Sequence, residues 1–220
     1  MLMESVLLHQ KNQLVLMWRS RFPFTQKEIN AFIEIPREYF IPKQFEMMAY
    51  NDKPLPTMRG KTISQPSTVM IMTHALEIKE GDIIFEIGTG SGYQTALLAT
   101  LCGKKGRVIS TEVIPELVVF ARGILSSIGI KNCEIFEEDG SKGMKEKSPF
   151  DKIIITSACR VFPETLVTQL KIGGIIIGPV GDSSAQEMVK GIKDKDGKLS
   201  LEFLGQFIFS PMSGKYGFEE

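Results

Sequence analysis

Apolar residues recur along this chain in two rhythms, helical at first and strand-like after residue 82. From Ser5 to Trp18 the apolar positions fall at roughly helical spacing, which predicts one or two N-terminal helices. Thr25-Gln26-Lys27-Glu28 has the form of a capping box, Thr at the cap and Glu three residues on, and predicts a short helix over Ile29 to Ile33 that Pro36 ends. Residues before proline avoid the helical region, so Ile35 to Pro42 reads as extended or turn. Lys43 to Met58 has no clear period and carries Pro54 and Pro56, the mark of an irregular surface loop. Pro66 suits the first turn of a helix running from Thr68 to Leu76, with Ser64 or Gln65 at its cap.

Beyond that point β-favouring runs alternate with helical ones. The strands are Ile83–Ile87, Arg107–Thr111, Cys133–Phe136, Lys152–Thr156 and Ile175–Ile177; helices fall over Gln94–Leu101, from Pro115 to Gly129, and Pro163–Leu170. This alternation predicts an α/β fold with a parallel sheet and right-handed crossovers. Met188–Lys193, the turn Asp194-Lys195-Asp196-Gly197 and Leu199–Phe209 then read as an antiparallel hairpin on the sheet edge. The expected organisation is one domain over 1–220, with N-terminal helices and a long loop (1–80), a ligand-binding core (81–182) and C-terminal antiparallel strands (183–220).

Composition narrows the class. With 220 residues, 43% of them hydrophobic, the chain has the means to bury one substantial core. Lys plus Arg and Asp plus Glu both number 26, so the basic surplus typical of nucleic-acid binders is missing and no nucleic-acid partner is expected. Cys102, Cys133 and Cys159 are odd in number and far apart, as reduced thiols of a cytoplasmic protein are, and show no metal spacing. Lys11, Trp18, Arg19 and Arg21 interrupt the apolar N-terminus, which therefore reads as neither signal peptide nor membrane span.

Candidate chemistry gathers at the ends of the strands, where open α/β sheets bind ligands. The first strand opens into Gly88-Thr89-Gly90-Ser91-Gly92-Tyr93. Glycines there let the backbone turn sharply and approach a nucleotide, although the same residues also suit a tight turn with no ligand. A dinucleotide fingerprint needs its third glycine at position 93, yet it comes one residue early, at Gly92. Glu112, twenty residues on and at the end of the second strand, is placed to accept hydrogen bonds from two ribose hydroxyls. Asp139 ends the third strand beside Gly140, a pair that is also an ordinary turn. Glu86 lies inside the first strand, where a carboxylate is costly to bury unless paired or facing a cationic ligand. His9 and His74 are the only histidines, so a histidine metal site is excluded and a Ser/His/Asp triad nearly so. The chemistry expected is of a kind that needs no base.

The early third glycine resembles the cofactor loop of class I methyltransferases, which use S-adenosylmethionine. A closer likeness runs from Pro36-Arg37-Glu38-Tyr39-Phe40-Ile41-Pro42 through Ala49–Pro56, Thr62-Ile63-Ser64-Gln65-Pro66, Glu86–Tyr93, Pro149-Phe150-Asp151 and Gly178-Pro179-Val180-Gly181 to Pro211-Met212-Ser213-Gly214. In order and separation these stretches resemble the protein-L-isoaspartate O-methyltransferases, and Thr-Ile-Ser-x-Pro is their specific part. The resemblance implies a Rossmann-like sheet with an N-terminal helical cap and methyl transfer from S-adenosylmethionine to the α-carboxylate of L-isoaspartyl residues. It implies Ser64 as the catalytic residue and Thr62, Ile63, Ser67, Glu86, Gly88, Gly90, Gly92, Glu112, Asp139, Gly140 and Ser213 around the cofactor, with no metal. Partners would be isoaspartyl peptides and flexible protein segments, met by a monomer in the cytoplasm without membrane contact. The sequence departs from the family at Met58-Arg59, Lys61, Ser67 and Cys159-Arg160. Lys61 and Arg59 are expected to attract the acidic acceptor. Alternatives are a methyltransferase for another carboxylate or small molecule, and a cofactor-binding protein without catalysis. An amino-methylating enzyme for nucleic acids fits less well, since Thr156-Ser157-Ala158-Cys159 stands where those often carry Asn/Asp-Pro-Pro-Tyr/Phe.

Overall fold

The computed structural model describes residues 2–218. The N-terminal apolar rhythm forms one helix, α1 (Leu2–Arg21), which turns Leu7, Lys11, Leu14, Val15 and Trp18 inward at helical spacing. Helix α2 (Gln26–Glu34) begins with the expected capping box: Thr25 Oγ1 accepts from the Glu28 N–H at 3.3 Å, and Glu28 Oε2 accepts from the Thr25 N–H at 2.7 Å.

The next stretch is more ordered than the sequence predicts. Short 3₁₀ turns cover Arg37–Phe40 and Lys43–Met48, where extended and irregular chain was expected. Pro36 and Pro42 precede these turns instead of interrupting them, and each gives its carbonyl to the first turn bond, from Tyr39 at 3.0 Å and Phe45 at 2.8 Å. Burial of Phe40, Ala49 and Tyr50 pins the stretch to the core, and no local periodicity advertises that. Strands β1 (Leu55–Pro56) and β2 (Thr62–Ile63) pair antiparallel, Leu55 against Ile63, around a turn at Met58–Gly60. Helix α3 (Pro66–Ala75) follows, with proline at its first position and Gln65 as N-cap.

The core then alternates: β3 (Ile83–Ile87), α4 (Tyr93–Cys102), β4 (Arg107–Glu112), α5 (Pro115–Ser127), β5 (Cys133–Glu137), β6 (Phe150–Ile155), α6 (Glu164–Gln169), β7 (Leu170–Gly181), β8 (Gln186–Lys193) and β9 (Leu199–Phe207). These strands form one seven-stranded sheet in the order β5-β4-β3-β6-β7-β8-β9. The first five run parallel; β8 and β9 add antiparallel at the edge, as expected. Strand β7 starts five residues before the expected Ile175, because Gly173 at φ +74° allows a register shift between Phe150↔Leu170 and Lys152↔Ile175. Helix α6 is shortened to match.

Alternation along the central strands divides the core into two faces. Ile84, Val108, Ile154, Ile175 and Ile177 pack on Met72 from α3, Leu76 at its C-cap, and Leu98 and Ala99 from α4. Phe85, Ile87, Ile109, Ile153, Ile155 and Ile176 face Leu166 of α6, with Met144 and Met212. The N-terminal helices build a third cluster around Trp18, whose ring meets Phe32 edge to face at 4.5 Å. Among the described residues no helix is long and apolar enough to cross a membrane. Because β4 and β6 flank β3 on opposite sides, the chain reverses its direction of travel across the sheet at β3, and such a switch point leaves a crevice at the carboxyl ends of the strands.

Candidate active site

That crevice is a cleft of about 920 Å³, within the usual range for small-molecule sites. Ile87 and Gly88 line it from the end of β3, Thr111 and Glu112 from β4, and Thr156 and Ser157 from beyond β6. Its upper walls are Lys61–Gln65, spanning β2 and the link to α3, and Gln206–Ser213, from the end of β9 onward.

The glycine loop is held in a conformation that other residues rarely adopt: φ is +95° at Gly88, +56° at Gly90 and +91° at Gly92. A Cβ at Gly88 would collide with the Thr156 hydroxyl, which donates to the carbonyls of Ile87 at 3.0 Å and Gly88 at 2.6 Å. Glu112 fixes the loop from the other side. Its Oε2 accepts from the Gly90 N–H at 2.9 Å, and its Oε1 accepts from the N–H groups of Val113 at 2.9 Å and Ile114 at 3.0 Å. A carboxylate offers about four acceptor positions, so Glu112 has capacity left for a hydroxyl donor in the cleft.

Glu86 lies beneath this loop, fully buried between β3 and α4 and off the cleft lining. Its Oε2 accepts from Thr95 Oγ1 at 2.5 Å and Ser110 Oγ at 2.7 Å, and Ser110 Oγ in turn lies 2.6 Å from Thr89 Oγ1 in the loop. Burial lifts the carboxyl to about 7 against the lowering effect of the two hydroxyls. Its Oε1 is buried with no hydrogen-bond partner among the described residues.

On the acceptor side, Ser64 is half-buried and lines the cleft. Its hydroxyl makes no hydrogen bond among the described residues, and the N-cap of α3 is Gln65, without a side-chain cap bond. Thr62, Ile63 and Lys61 line the same wall. Arg59 stands off the cleft in an exposed ion pair with Glu116 at the start of α5. The structure does not bring Ser67 to the cleft: it is buried, donating from N–H and Oγ to Asp52 at 2.9 and 2.7 Å and accepting from Trp18 Nε1 at 2.6 Å.

At the far end Gly140 and Ser213 line the cleft, and a Cβ at Gly140 would run into Thr111. Glu138 reaches the lining, whereas Asp139 turns away. Asp139 Oδ1 accepts from the Ser141 N–H at 3.1 Å and its hydroxyl at 2.6 Å, and Oδ2 accepts from the Lys215 N–H at 2.9 Å. Burial raises this carboxyl, but those hydrogen bonds and the Lys142 charge outweigh it and hold it below the usual range. The pattern Asp-x-Ser, which forms a local side-chain turn, is the signal that reads Asp139 as a cap. The family resemblance marks only the Ser213 end of the residues 206–213 wall; nothing in local sequence marks the rest of that wall or the Trp18–Ser67–Asp52 chain, because sheet closure and helix packing bring their parts together.

Cleft volume, glycine backbone on the lining at Gly88, Gly90 and Gly140, and a carboxylate with acceptor capacity left at the end of β4 together fit an adenosine-bearing cofactor.

Residues 9–217 match the family model described as protein-L-isoaspartate(D-aspartate) O-methyltransferase. The chain is 42% identical over 201 residues to protein-L-isoaspartate O-methyltransferase 2 of Archaeoglobus fulgidus, covering 91% of each chain. It is 42% identical over 193 residues to protein-L-isoaspartate O-methyltransferase of Methanococcoides burtonii, covering 88% of this chain and 95% of the relative. A solved structure named protein-L-isoaspartate O-methyltransferase superposes with a TM-score of 0.84 at 30% identity, over 94% of this chain and 67% of that one.

Proposed function

The chain belongs to the protein-L-isoaspartate(D-aspartate) O-methyltransferase family, and from that premise we propose how its residues divide the work of the reaction. It is an S-adenosylmethionine-dependent enzyme that methylates the α-carboxylate of L-isoaspartyl residues in damaged peptides and proteins. When bound, the cofactor supplies a methyl group on a sulfonium centre. An acceptor carboxylate, with a pKa of about 4, is already ionised at neutral pH, so the chain needs no general base. Its task is orientation in a site shielded from water, a contribution on the order of 7–11 kcal/mol in well-aligned systems.

In this reading Ser64 donates its hydroxyl to the acceptor carboxylate, and Lys61 on the same wall adds favourable charge. Glu112 accepts from a ribose hydroxyl of the cofactor while Gly88, Gly90 and Gly92 let the backbone close on it. Gly140 and Ser213 line the far end, and Thr62 and Ile63 the near wall. Glu86 acts from below, through Ser110 and Thr89, to hold the loop. Asp139 and Ser67 serve the frame that carries these groups, not the cofactor surface. We also infer that acceptors are flexible segments able to thread the cleft, met by a monomer in the cytoplasm. Three free cysteines whose thiols burial raises to about 11, 11 and 12 fit a reducing compartment.

The observation that carries the assignment is Ser64, which lines the cleft with no hydrogen-bond partner for its hydroxyl among the described residues while Gln65 takes the cap position. Replacing Ser64 with Ala should lower kcat for an isoaspartyl peptide at least tenfold and leave the cofactor Kd within about threefold. A large loss of cofactor binding with kcat preserved would place Ser64 on the wrong side of the reaction.

A further inference from the structure

The deepest polar group near the acceptor wall is one that the reaction scheme above does not use. Arg37 is fully buried, yet among the described residues its guanidinium has no ion-pair partner. Its Nε donates to the Ala49 carbonyl at 2.8 Å and its Nη2 to the Ser64 carbonyl at 2.7 Å. The guanidinium carbon lies 4.9 Å from the centre of the Tyr93 ring, the first residue of α4 after the glycine loop. Arg37 Nη1 and Tyr93 Oη are two of four buried side-chain atoms without a hydrogen-bond partner among the described residues. Burying an unpaired cation is costly, and an apolar side chain of similar length would fill the space without that cost. Burial lowers the guanidinium only to about 10, so it stays charged at neutral pH.

Ser64 explains what the arrangement accomplishes. It belongs neither to β2, which ends at Ile63, nor to α3, which begins at Pro66. The first helical acceptor is the Gln65 carbonyl, which takes the Val69 N–H at 3.1 Å, so the Ser64 carbonyl receives its hydrogen bond from Arg37 instead. Without that bond the Ser64 main chain would be held only through its neighbours.

Resting on the role of Ser64 given above, we propose that Arg37 is a positioning residue: it clamps the Ser64 main chain and, through the face of Tyr93, sets the acceptor serine relative to the cofactor loop. Arginine suits this place because its planar fork reaches two carbonyls while lying on a ring, which a lysine ammonium cannot do.

The test is a double-mutant cycle on the full chain, with R37K and S64A separately and together, assayed with an isoaspartyl peptide at saturating S-adenosylmethionine. Cofactor Kd and melting temperature are measured for each variant. R37K should lower kcat at least tenfold, keep the cofactor Kd within about threefold, and cost less than threefold more once Ser64 is already Ala. Full additivity of the two losses would overturn the inference while leaving Ser64 in place, as would a fall in kcat matched by loss of cofactor-binding sites. An S64A enzyme with unchanged kcat would overturn the Ser64 assignment and this inference with it. If R37K does not fold, R37Q, whose amide nitrogen reaches only as far as Arg37 Nε and so keeps a donor for the Ala49 carbonyl but not for Ser64, enters the same cycle and is judged by the same two outcomes.

Discussion

The Glu112 carboxylate accepts a hydrogen bond from the Gly90 N–H at 2.9 Å, so the acid at the end of β4 and the middle glycine of the loop after β3 form one unit. Removing that acid loosens three backbone groups at once, those of Gly90, Val113 and Ile114, and takes away the acceptor facing the cleft. E112A should therefore raise the Kd for S-adenosylmethionine at least tenfold by calorimetry, while kcat at saturating donor changes less than about threefold. E112Q should fall between, because its amide NH₂ must face an N–H donor on one side or the other.

Ser64 and Ser67 stand three residues apart and do different work. Ser67 satisfies Trp18 Nε1 and two bonds to Asp52, all buried or partly buried. S67A leaves the indole N–H without its partner, a loss of about 1–3 kcal/mol. Melting temperature should drop clearly while the cofactor Kd stays within twofold. An S67A protein of unchanged stability but weakened cofactor binding would return Ser67 to the cofactor site.

Glu86 makes stability depend on pH with a definite sign. Its folded value is raised from 4.5 to about 7, so the folded chain holds a proton that the unfolded chain has already released. Its contribution is fully present below about 4.5 and is lost as pH rises through about 7. The full gap corresponds to up to about 3 kcal/mol. Urea unfolding of the cofactor-free protein at pH 5.5 and pH 8 should show the wild type losing more stability than E86Q, whose neutral amide oxygen still accepts from Thr95 and Ser110. Equal losses in the two proteins would mean that Glu86 is ionised in the fold.

Most of the sheet was legible because its strands are apolar runs set between glycines and helix starters: β3, β4 and β6 begin within two residues of where the pattern puts them. The glycine loop and Glu112 were legible for a related reason, since backbone conformation and strand-end placement depend on local spacing. What escaped was set by packing. The turns at Arg37–Phe40 and Lys43–Met48 are stabilised by burial of Phe40 and Tyr50, not by periodicity. Asp139 and Ser67 are polar residues next to the site in sequence, yet their side chains turn to Lys215 and Asp52, contacts that only the folded chain creates. Arg59 and Lys61 were expected to act together, but Glu116 holds Arg59 outside and leaves Lys61 on the cleft wall.

The account as a whole is tested most directly by methyl transfer from labelled S-adenosylmethionine to two peptides of identical sequence, one with an L-isoaspartyl linkage and one with an ordinary aspartyl linkage. The account predicts label in the isoaspartyl peptide, approaching one methyl per isoaspartyl residue, and none above background in its partner. Equal labelling of the two peptides, or cofactor binding with no transfer to either, would contradict it.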